Sequence, residues 1–457
     1  PSPSSLVSLI KKVCVGWKPV AKANRFGTHF KPISIQRSNQ PRLLTSSTNM
    51  DKIIYLDHAA STPMSSEVLE AMRPYFSEIY GNPSSFHSVG LQAKSAVDAS
   101  RSKIAEILHA HSDEILFTSG GTESDNMAVL GIPRFYKKKL KELLGEDAIP
   151  HVITSAIEHH AVLEPLLLLE KKGEITLTQI KPDGFGMIHA KDVKEALKPE
   201  TVLISIMMAN NEIGTINPIA DIGRVVLAWR KEQKTIFPFF HSDACQATGA
   251  IELNVEQLHT DLLTINGSKM YGPKGIGALY LRRGTRIDPL TIGGGQERGM
   301  RAGTEAVTLI VGLAKALELA QANREVESAR LIVLRDRLAE GLLKIPKSRL
   351  NGHPTERLPN SVNVSFLDIE GEACILYLDA KGIMTSTGSA CASTSLDPSH
   401  VILATGLSYE AAHGSIRFTL GASTTTEDID YVLTEMPGIV EMLRKISPTN
   451  LDMKHFT

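Results

Sequence analysis

Cysteine is scarce in this sequence. The 457 residues contain only four, Cys14, Cys245, Cys374 and Cys391, and none of them belongs to a Cys-x-x-Cys pair. Clusters of Cys and His with the spacing of a zinc site are also missing. Four thiols in a chain of this length do not resemble a disulfide framework, so the sequence predicts a reducing compartment and no metal site.

Long hydrophobic runs and a strong net charge are absent as well. No apolar stretch approaches the roughly 20 residues of a membrane-spanning helix, and the densest one, LEPLLLLEKK, is bracketed by charges. The formal net charge is −1, with 42% hydrophobic and 22% charged residues. This composition is typical of a globular protein and lacks the basic footprint of a nucleic-acid-binding protein. We therefore expect neither a membrane nor a nucleic-acid partner.

Residues 1–50 lack acidic side chains. They contain eight Lys or Arg and no Asp or Glu, which leaves 41 basic and 50 acidic residues in the rest of the chain. This Ser-rich, basic composition is that of an organellar transit peptide, which would indicate a mitochondrial location. Alternatively, Met50 is the natural start and the preceding stretch is an extension, which would indicate the cytoplasm. We favour the second interpretation and expect residues 1–50 to be disordered.

Short apolar strands alternate with helical patterns between about residues 95 and 285. The seven predicted strands are EILFT (114–118), VITS (152–155), ITLTQI (175–180), VLISIMMA (202–209), IFPFFHSD (236–243), LLTI (262–265) and IGALYL (276–281). Several are nearly continuous apolar runs, as expected of strands that are buried on both faces. The alternation predicts an α/β fold with a mostly parallel sheet covered by helices.

A second pattern follows this alternation. A long helical stretch runs from about residue 304 to 343, followed by the strands SVNVSFL and SIRFTL with helices after each. The sequence therefore predicts a large α/β domain at 51–304 and a small C-terminal α+β domain at 305–457. The first segment of the large domain could pack with the small one.

Polar residues follow several of the predicted strands, where ligands bind in open α/β sheets. Gly121 and Thr122 lie in TSGGTESDN, where a strand turns into a helix start. The free N–H groups of such a turn form an anion site, although an ordinary capped turn would look the same. Asp243 ends a buried strand and needs a strong partner, either a protonated ring nitrogen or a structural salt bridge.

Lys269 and two adjacent histidines also follow strands. A lysine in a desolvated site can become an amine nucleophile, whereas a solvated loop lysine is the plain alternative. His159 or His160 could stack on a planar ligand or move protons, and only one of the two can face the site. A phosphate cup, an acid, a Schiff-base lysine and a histidine together match what pyridoxal 5'-phosphate requires.

Several longer motifs extend this pattern over residues 53–447. They are YLDHAASTP, GNPSSFHSVG, FTSGGTESDN, EHHAVLE, ANNEIGTINPI, SDACQATG, GSKMYGPKGIGALY, GGGQERGMRAGTE, LPNSVNVSF, GSACASTSLDPSHV and SIRFTLG. In these motifs the chain resembles the class V aminotransferases, and within them the cysteine desulfurases of the NifS/IscS type. The resemblance implies a fold-type I PLP-dependent transferase with a seven-stranded sheet and a small C-terminal domain.

The resemblance also implies a role for individual residues. The catalytic residues would be Lys269 as the Schiff-base lysine, His159 over the cofactor ring, and Cys391 as the nucleophile. The other cofactor ligands would be Asp243 at the pyridine nitrogen, Gln246 at the ring oxygen, Gly121, Thr122 and Ser268 at the phosphate, Asn211, and Thr304 reaching into the partner subunit of a homodimer. Asn211 and Arg417 would hold the substrate carboxylate, for which the planar fork of an arginine is well suited.

The implied activity removes sulfur from L-cysteine, yielding L-alanine and a persulfide on Cys391. The sulfur would serve iron–sulfur cluster assembly or tRNA thiolation, with an iron–sulfur scaffold protein as an expected acceptor. The small residues around Cys391 predict a movable arm, which suits a thiol that receives and delivers sulfur. A buried, structural Cys391 at a helix start is the alternative.

Other functions share most of these motifs. A selenocysteine lyase has the same fold and cofactor, but the GSACASTSLDPSHV segment favours a desulfurase. A PLP-free scaffold or sulfur-carrier protein would not need Lys269, and an ordinary aminotransferase would not need Cys391. The chain departs from the family pattern next to the predicted Schiff-base lysine, among other places: NGSK stands where many members have SGHK, so Asn266 and Ser268 could alter the cofactor environment.

Overall fold

The computed structural model describes residues 53–388 and 397–456 of the chain. The predicted nucleophile Cys391 and the predicted leader at 1–50 lie outside the described residues.

Twelve strands form three sheets in this part. They are β1 (Ile54–Tyr55), β2 (Ile115–Thr118), β3 (His151–Ser155), β4 (Thr176–Ile180), β5 (Thr201–Ser205), β6 (Phe239–Asp243), β7 (Leu262–Asn266), β8 (Gly277–Leu281), β9 (Ser348–Asn351), β10 (Ser361–Phe366), β11 (Ile383–Met384) and β12 (Ser415–Thr419).

The large sheet has seven strands in the order β2-β8-β7-β6-β5-β3-β4. Strand β8 is antiparallel to both of its neighbours, and the other six strands run in one direction. This confirms the predicted seven-stranded, mostly parallel sheet. As a result, the carboxyl ends of six strands open onto one edge, where such sheets place their ligands.

Fourteen α-helices accompany the sheets in the described part. They are α1 (Ser66–Met72), α2 (Pro74–Ser77), α3 (Ser88–Leu108), α4 (Gly121–Leu144), α5 (His160–Lys171), α6 (Ala190–Ala196), α7 (Ile219–Gln233), α8 (Val255–Leu258), α9 (Val307–Ala322), α10 (Arg324–Leu342), α11 (Gly371–Asp379), α12 (His400–Ala404), α13 (Tyr409–His413) and α14 (Thr426–Ile446). None of them is both long and apolar enough to cross a membrane.

The helices cover both faces of the large sheet, which explains why its strands are apolar throughout. Leu166 of α5 packs into one buried cluster, and Ile104 of α3 and Leu313 of α9 pack into the other. Full burial of each such side chain contributes about 1.5–3 kcal/mol. Helix α3 begins where the His87 ring accepts a hydrogen bond from Gly90 N at 3.2 Å, and its buried residues recur every three or four positions.

A second core surrounds the antiparallel sheet β12-β10-β9. Helices α10, α11 and α14 pack against it, and so do Ile54 and Leu56 from the start of the described chain. The first segment therefore joins the C-terminal core. The packing changes between α9 and α10, one helix after the boundary expected at residue 304. The division into two domains itself stays a prediction.

His151 illustrates how buried polar groups are satisfied between the parallel strands. Its ring nitrogens lie 2.8 Å from the hydroxyl of Thr201 on β5 and 2.8 Å from that of Thr178 on β4. Burial lowers the pKa of His151 from 6.5 to about 4. Between about pH 4 and pH 6.5, His151 therefore binds a proton in the unfolded chain but not in the folded chain.

This difference predicts that acid weakens the fold. The free energy of unfolding should fall as the pH drops from about 6.5 towards 4, because protonation favours the unfolded chain. His151→Asn keeps a donor and an acceptor but does not titrate, so its unfolding free energy should depend less on pH. Denaturant unfolding at several pH values measures both slopes. Equal slopes would contradict this account of His151.

Candidate active site at the carboxyl edge of the sheet

Lys269 lies directly after β7. The strand ends at Asn266, and a single 3-10 turn over Gly267–Lys269 follows. Asn266 Oδ1 fixes this turn by accepting hydrogen bonds from Ser268 N at 3.1 Å and Ser268 Oγ at 3.2 Å. Lys269 Nζ donates to the carbonyl oxygens of Ala59 at 2.8 Å and Ala60 at 2.6 Å. The amine is therefore held in a defined position at the sheet edge.

Asp243 ends the neighbouring strand, β6, and is 7% exposed. Its Oδ1 accepts a hydrogen bond from Cys245 N at 2.8 Å, which orients the carboxylate. Gln246 Nε2 donates to Ala59 O at 3.0 Å, the same carbonyl that Lys269 contacts. The structure thus brings the predicted acid, amide and lysine together.

A second carboxyl group lies behind Asp243. Asp125, on α4, is buried, with Oδ1 3.6 Å from the Nε2 atom of His241. Burial, followed by the nearby charge of Asp243, raises the pKa of Asp125 well above its usual range. Burial therefore disfavours the charged form of Asp125, which lies within electrostatic reach of Asp243.

His159 caps the N-terminus of α5, where its Nδ1 accepts a hydrogen bond from Ala161 N at 3.1 Å. In the neutral ring the proton is then on Nε2. Burial lowers the pKa of His159, and the charge of Lys269 acts in the same direction. The carboxylates of Asp243 and Glu212 oppose this effect. These interactions show that His159 lies within electrostatic reach of the other site residues.

The start of α4 is the place where the sequence predicts an anion site. Gly121 is its first residue, and a Cβ there would lie 2.7 Å from Cys245 Sγ, so a side chain at this position would collide. The first-turn N–H groups, including that of Thr122, point out of a 24-residue helix. Such a helix start attracts a phosphate through its free donors and its dipole.

Arg417 reaches the site from β12 of the smaller sheet and is only 2% exposed. One terminal nitrogen, Nη2, donates to Asp57 Oδ1 at 2.7 Å, and the other, Nη1, donates to Asn211 O at 3.0 Å. Its Nε has no hydrogen-bond partner among the described residues. The predicted substrate-binding pair, Asn211 and Arg417, is therefore in direct contact.

Thr304 differs from the other predicted residues. It is exposed in the segment before α9, and no hydrogen bond within the described part joins its side chain to Lys269 or Asp243. A single chain thus does not bring Thr304 into this cluster. Its role at the site of a partner subunit stays a prediction.

Two residues of the site were not singled out by the sequence analysis. Asp57 pairs with Arg417, and Glu212 lies next to Asn211 and acts on His159. Both lie within motifs that carry the family resemblance, YLDHAASTP and ANNEIGTINPI. An acidic residue in each motif was the available signal, but its partner comes from a distant part of the chain.

The sequence matches the family described as Aminotransferase class-V over residues 54–432. The chain belongs to the class V aminotransferase family.

Named relatives are found among curated proteins and solved structures. The chain is 51% identical to Cysteine desulfurase IscS of Methanosarcina thermophila, over 87% of this chain and 94% of that protein. It is 49% identical to Cysteine desulfurase IscS of Dictyoglomus turgidum, over 89% of this chain and 99% of that protein. A solved NifS-like protein, 34% identical, superposes with a TM-score of 0.77 over 86% of this chain and 100% of the other. A structure titled "SspA in complex with cysteine" is 36% identical and superposes with a TM-score of 0.67 over 80% of this chain and 98% of the other.

The Arg417–Asp57 pair should be important for stability. Asp57→Asn leaves a buried guanidinium without its counter-charge, which we expect to lower the free energy of unfolding by about 3–5 kcal/mol. Glu70→Gln is the matched control, because it breaks an ion pair with Arg73 that is exposed on both sides. That change should cost at most about 1 kcal/mol. Denaturant unfolding measures the free energy of unfolding of both variants. Equal losses in the two variants would argue against a stabilising Arg417–Asp57 pair.

Proposed function

We propose that the protein is a cysteine desulfurase that uses pyridoxal 5'-phosphate to transfer the sulfur of L-cysteine to Cys391 and releases L-alanine. The observation that carries this proposal is the convergence of Lys269, Asp243 and Arg417 at one edge of the sheet. An amine, a buried acid and a carboxylate-binding guanidinium suit an amino-acid substrate bound to this cofactor. The names of the IscS relatives support the choice of reaction.

The described residues fit the cofactor. The α4 start offers N–H donors for its phosphate, and the buried carboxylate of Asp243 suits a protonated ring nitrogen. Gln246 lies close enough to Lys269 to share Ala59 O with it, so it can contact the ring oxygen. When bound, the cofactor supplies an electron sink for charge that develops at the substrate Cα. Lys269 provides the amine for covalent attachment.

Arg417 and Asn211 orient the substrate. Two guanidinium nitrogens of Arg417 are directed to Asp57 and Asn211 O, and its third nitrogen, Nε, has no described hydrogen-bond partner. A substrate carboxylate placed there would complete the hydrogen bonding of a buried charge, which is otherwise costly. This preference for an α-carboxylate favours a free amino acid over a peptide.

Lys269 and His159 are the residues that would transfer protons during the reaction. His159 is neutral over the physiological range because burial lowers its pKa, and its Nε2 holds the ring proton. Lys269, whose Nζ is held at Ala59 O and Ala60 O, would serve as the base near the substrate Cα. Both groups are fixed by hydrogen bonds, which is what general acid–base catalysis requires.

The sulfur passes to a thiolate of the protein. The Cys391 thiolate attacks the sulfur of L-cysteine, an S–S bond forms, and the Cβ–S bond breaks. The electron pair of that bond remains with the substrate carbon, which takes up a proton and leaves as L-alanine. The two described thiols are unsuited to this step, because burial raises the pKa of Cys245 and raises that of Cys374 to about 12.

The proposal includes partners and a location. Phe86 is 95% exposed beside a groove formed with Glu297 and Glu305, close in sequence to Thr304. This surface suits a second copy of the chain, so we propose a homodimer in which Thr304 reaches the partner's cofactor. We further propose an iron–sulfur scaffold or another sulfur-carrying protein as acceptor. The proposed location is the cytoplasm, with the mitochondrion as the alternative if residues 1–50 form a transit peptide.

Three variants test this function with L-cysteine as substrate. Cys391→Ala should keep the absorbance of bound cofactor but form no persulfide, since only the nucleophile is lost. Lys269→Ala should lose the covalent cofactor absorbance together with activity. Cys374→Ala, in the core, should keep both properties and serves as the control. Alanine and sulfide are measured, and full activity of Cys391→Ala would contradict the proposal. Faster turnover of selenocysteine with negligible activity on cysteine would favour a lyase.

A further inference from the structure

The buried side chain of Asn210 lies between two turns of the site. The histidine turn, residues 156–159, follows β3 and ends at His159. The carbonyl turn, residues 210–214, follows β5 and begins at Asn210 itself. Asn210 Nδ2 donates a hydrogen bond to Ile157 O at 2.9 Å. A side chain of the carbonyl turn therefore holds the histidine turn two residues before the site histidine.

The oxygen of the same amide shapes the carbonyl turn. Asn210 Oδ1 accepts hydrogen bonds from Glu212 N at 2.9 Å and from Ile213 N at 3.0 Å. Asparagine favours such turns because its side chain can bond the backbone a few residues further on. The residue inside the turn is Asn211, whose carbonyl oxygen accepts the hydrogen bond from Arg417 Nη1 at 3.0 Å. The amide thus helps to present this carbonyl to the arginine.

The surroundings of the Asn210 amide require one acceptor and one donor. Two backbone N–H groups face Oδ1, whereas the Ile157 carbonyl faces Nδ2. Nδ2 also lies 3.3 Å from Met207 Sδ, a weak acceptor. Exchanging the two amide atoms would oppose donors to donors, so these contacts define the orientation of the side chain. An aspartate has the same shape, but its carboxylate has no donor for Ile157.

Each turn also has contacts with other parts of the chain. Met207 N donates to Glu158 Oε1 at 3.0 Å, and His400 Nε2 donates to Glu158 O at 3.0 Å. In the carbonyl turn, Glu212 O accepts a hydrogen bond from Asn363 Nδ2 at 3.1 Å. These contacts attach each turn to its surroundings, whereas the amide bonds the two turns to each other.

We propose that Asn210 is a positioning residue that keeps His159 and Arg417 in a fixed relative position. The proposal rests on the proposed function, in which both residues act on one substrate molecule. His159 follows the Ile157 carbonyl by two residues, and Arg417 is bonded to Asn211, the residue next to Asn210. Groups that act together on a substrate are effective only in the productive geometry. Loss of the amide therefore slows proton transfer and weakens substrate orientation.

Two variants separate the two halves of the amide in the holoenzyme. Asn210→Ala loses the contacts with both turns, so alanine formation in a single turnover should be about tenfold slower and the KM for L-cysteine about tenfold higher. Asn210→Asp keeps the acceptor for the carbonyl turn, so its KM should stay close to that of the wild type. Its rate relative to the wild type should fall as the pH rises, because a neutral carboxyl can donate to Ile157 O and a carboxylate cannot.

Amide hydrogen exchange tests the link between the turns without turnover. Asn210→Ala should exchange faster than the wild type over residues 156–162, because local opening no longer breaks the contact with Asn210. Asn254→Ala is the matched control. Asn254 is also buried, and its Oδ1 accepts from the backbone N–H groups two and three residues later, at the start of α8. Its exchange over residues 156–162, its alanine rate and its KM should equal those of the wild type.

Two results would overturn the proposal. One is a wild-type alanine rate in Asn210→Ala or, if that variant does not fold, in Asn210→Ser, which keeps an acceptor for the carbonyl turn but lacks the amide donor. The other is equally faster exchange over residues 156–162 in Asn210→Ala and Asn254→Ala, which indicates a general loss of stability. A wild-type enzyme that forms no alanine from L-cysteine would instead contradict the proposed function, so the two failures are distinguishable.

Discussion

The ion pair between the buried Arg417 and the partly exposed Asp57 is the interaction on which the site depends. It connects β12 of the C-terminal core to the segment in which Ala59 and Ala60, two and three residues after Asp57, accept hydrogen bonds from Lys269. Ala59 N also donates to Thr419 Oγ1 at 2.9 Å, which reinforces the same junction. An amine from one sheet and a guanidinium from another therefore share a single short segment. A shift of either core would move both groups relative to the substrate.

Burial shifts the pKa of several ionisable groups near this junction. Burial raises the pKa of Asp125 and lowers that of His159, so it disfavours the charged form of both side chains. The same effect keeps the thiols of Cys245 and Cys374 protonated. In the proposed function, Asp243 would pair with a ring nitrogen and Arg417 with a substrate carboxylate.

The sequence was sufficient to predict the sheet, because its strands are apolar runs between helical patterns, and all seven were confirmed. It did not predict β9, since SRLN has no strand pattern of its own and is a strand only through pairing with β10. Lys269, Asp243 and His159 were found because each lies at the end of a strand or soon after it. Asp57 and Glu212 were missed because their partners, Arg417 and Ser399, lie 360 and 187 residues away. Such pairings depend on tertiary packing, which local patterns do not encode.

The central claim is that this arrangement delivers the substrate sulfur to Cys391. The most direct measurement is mass spectrometry of the cysteine-containing peptides after a single turnover with sulfur-labelled L-cysteine. The account predicts one labelled sulfur on the peptide that contains Cys391, released by a reductant, and none on the peptides of Cys245 or Cys374. Formation of alanine with no label on Cys391, or with the label on one of the two buried cysteines, would contradict it.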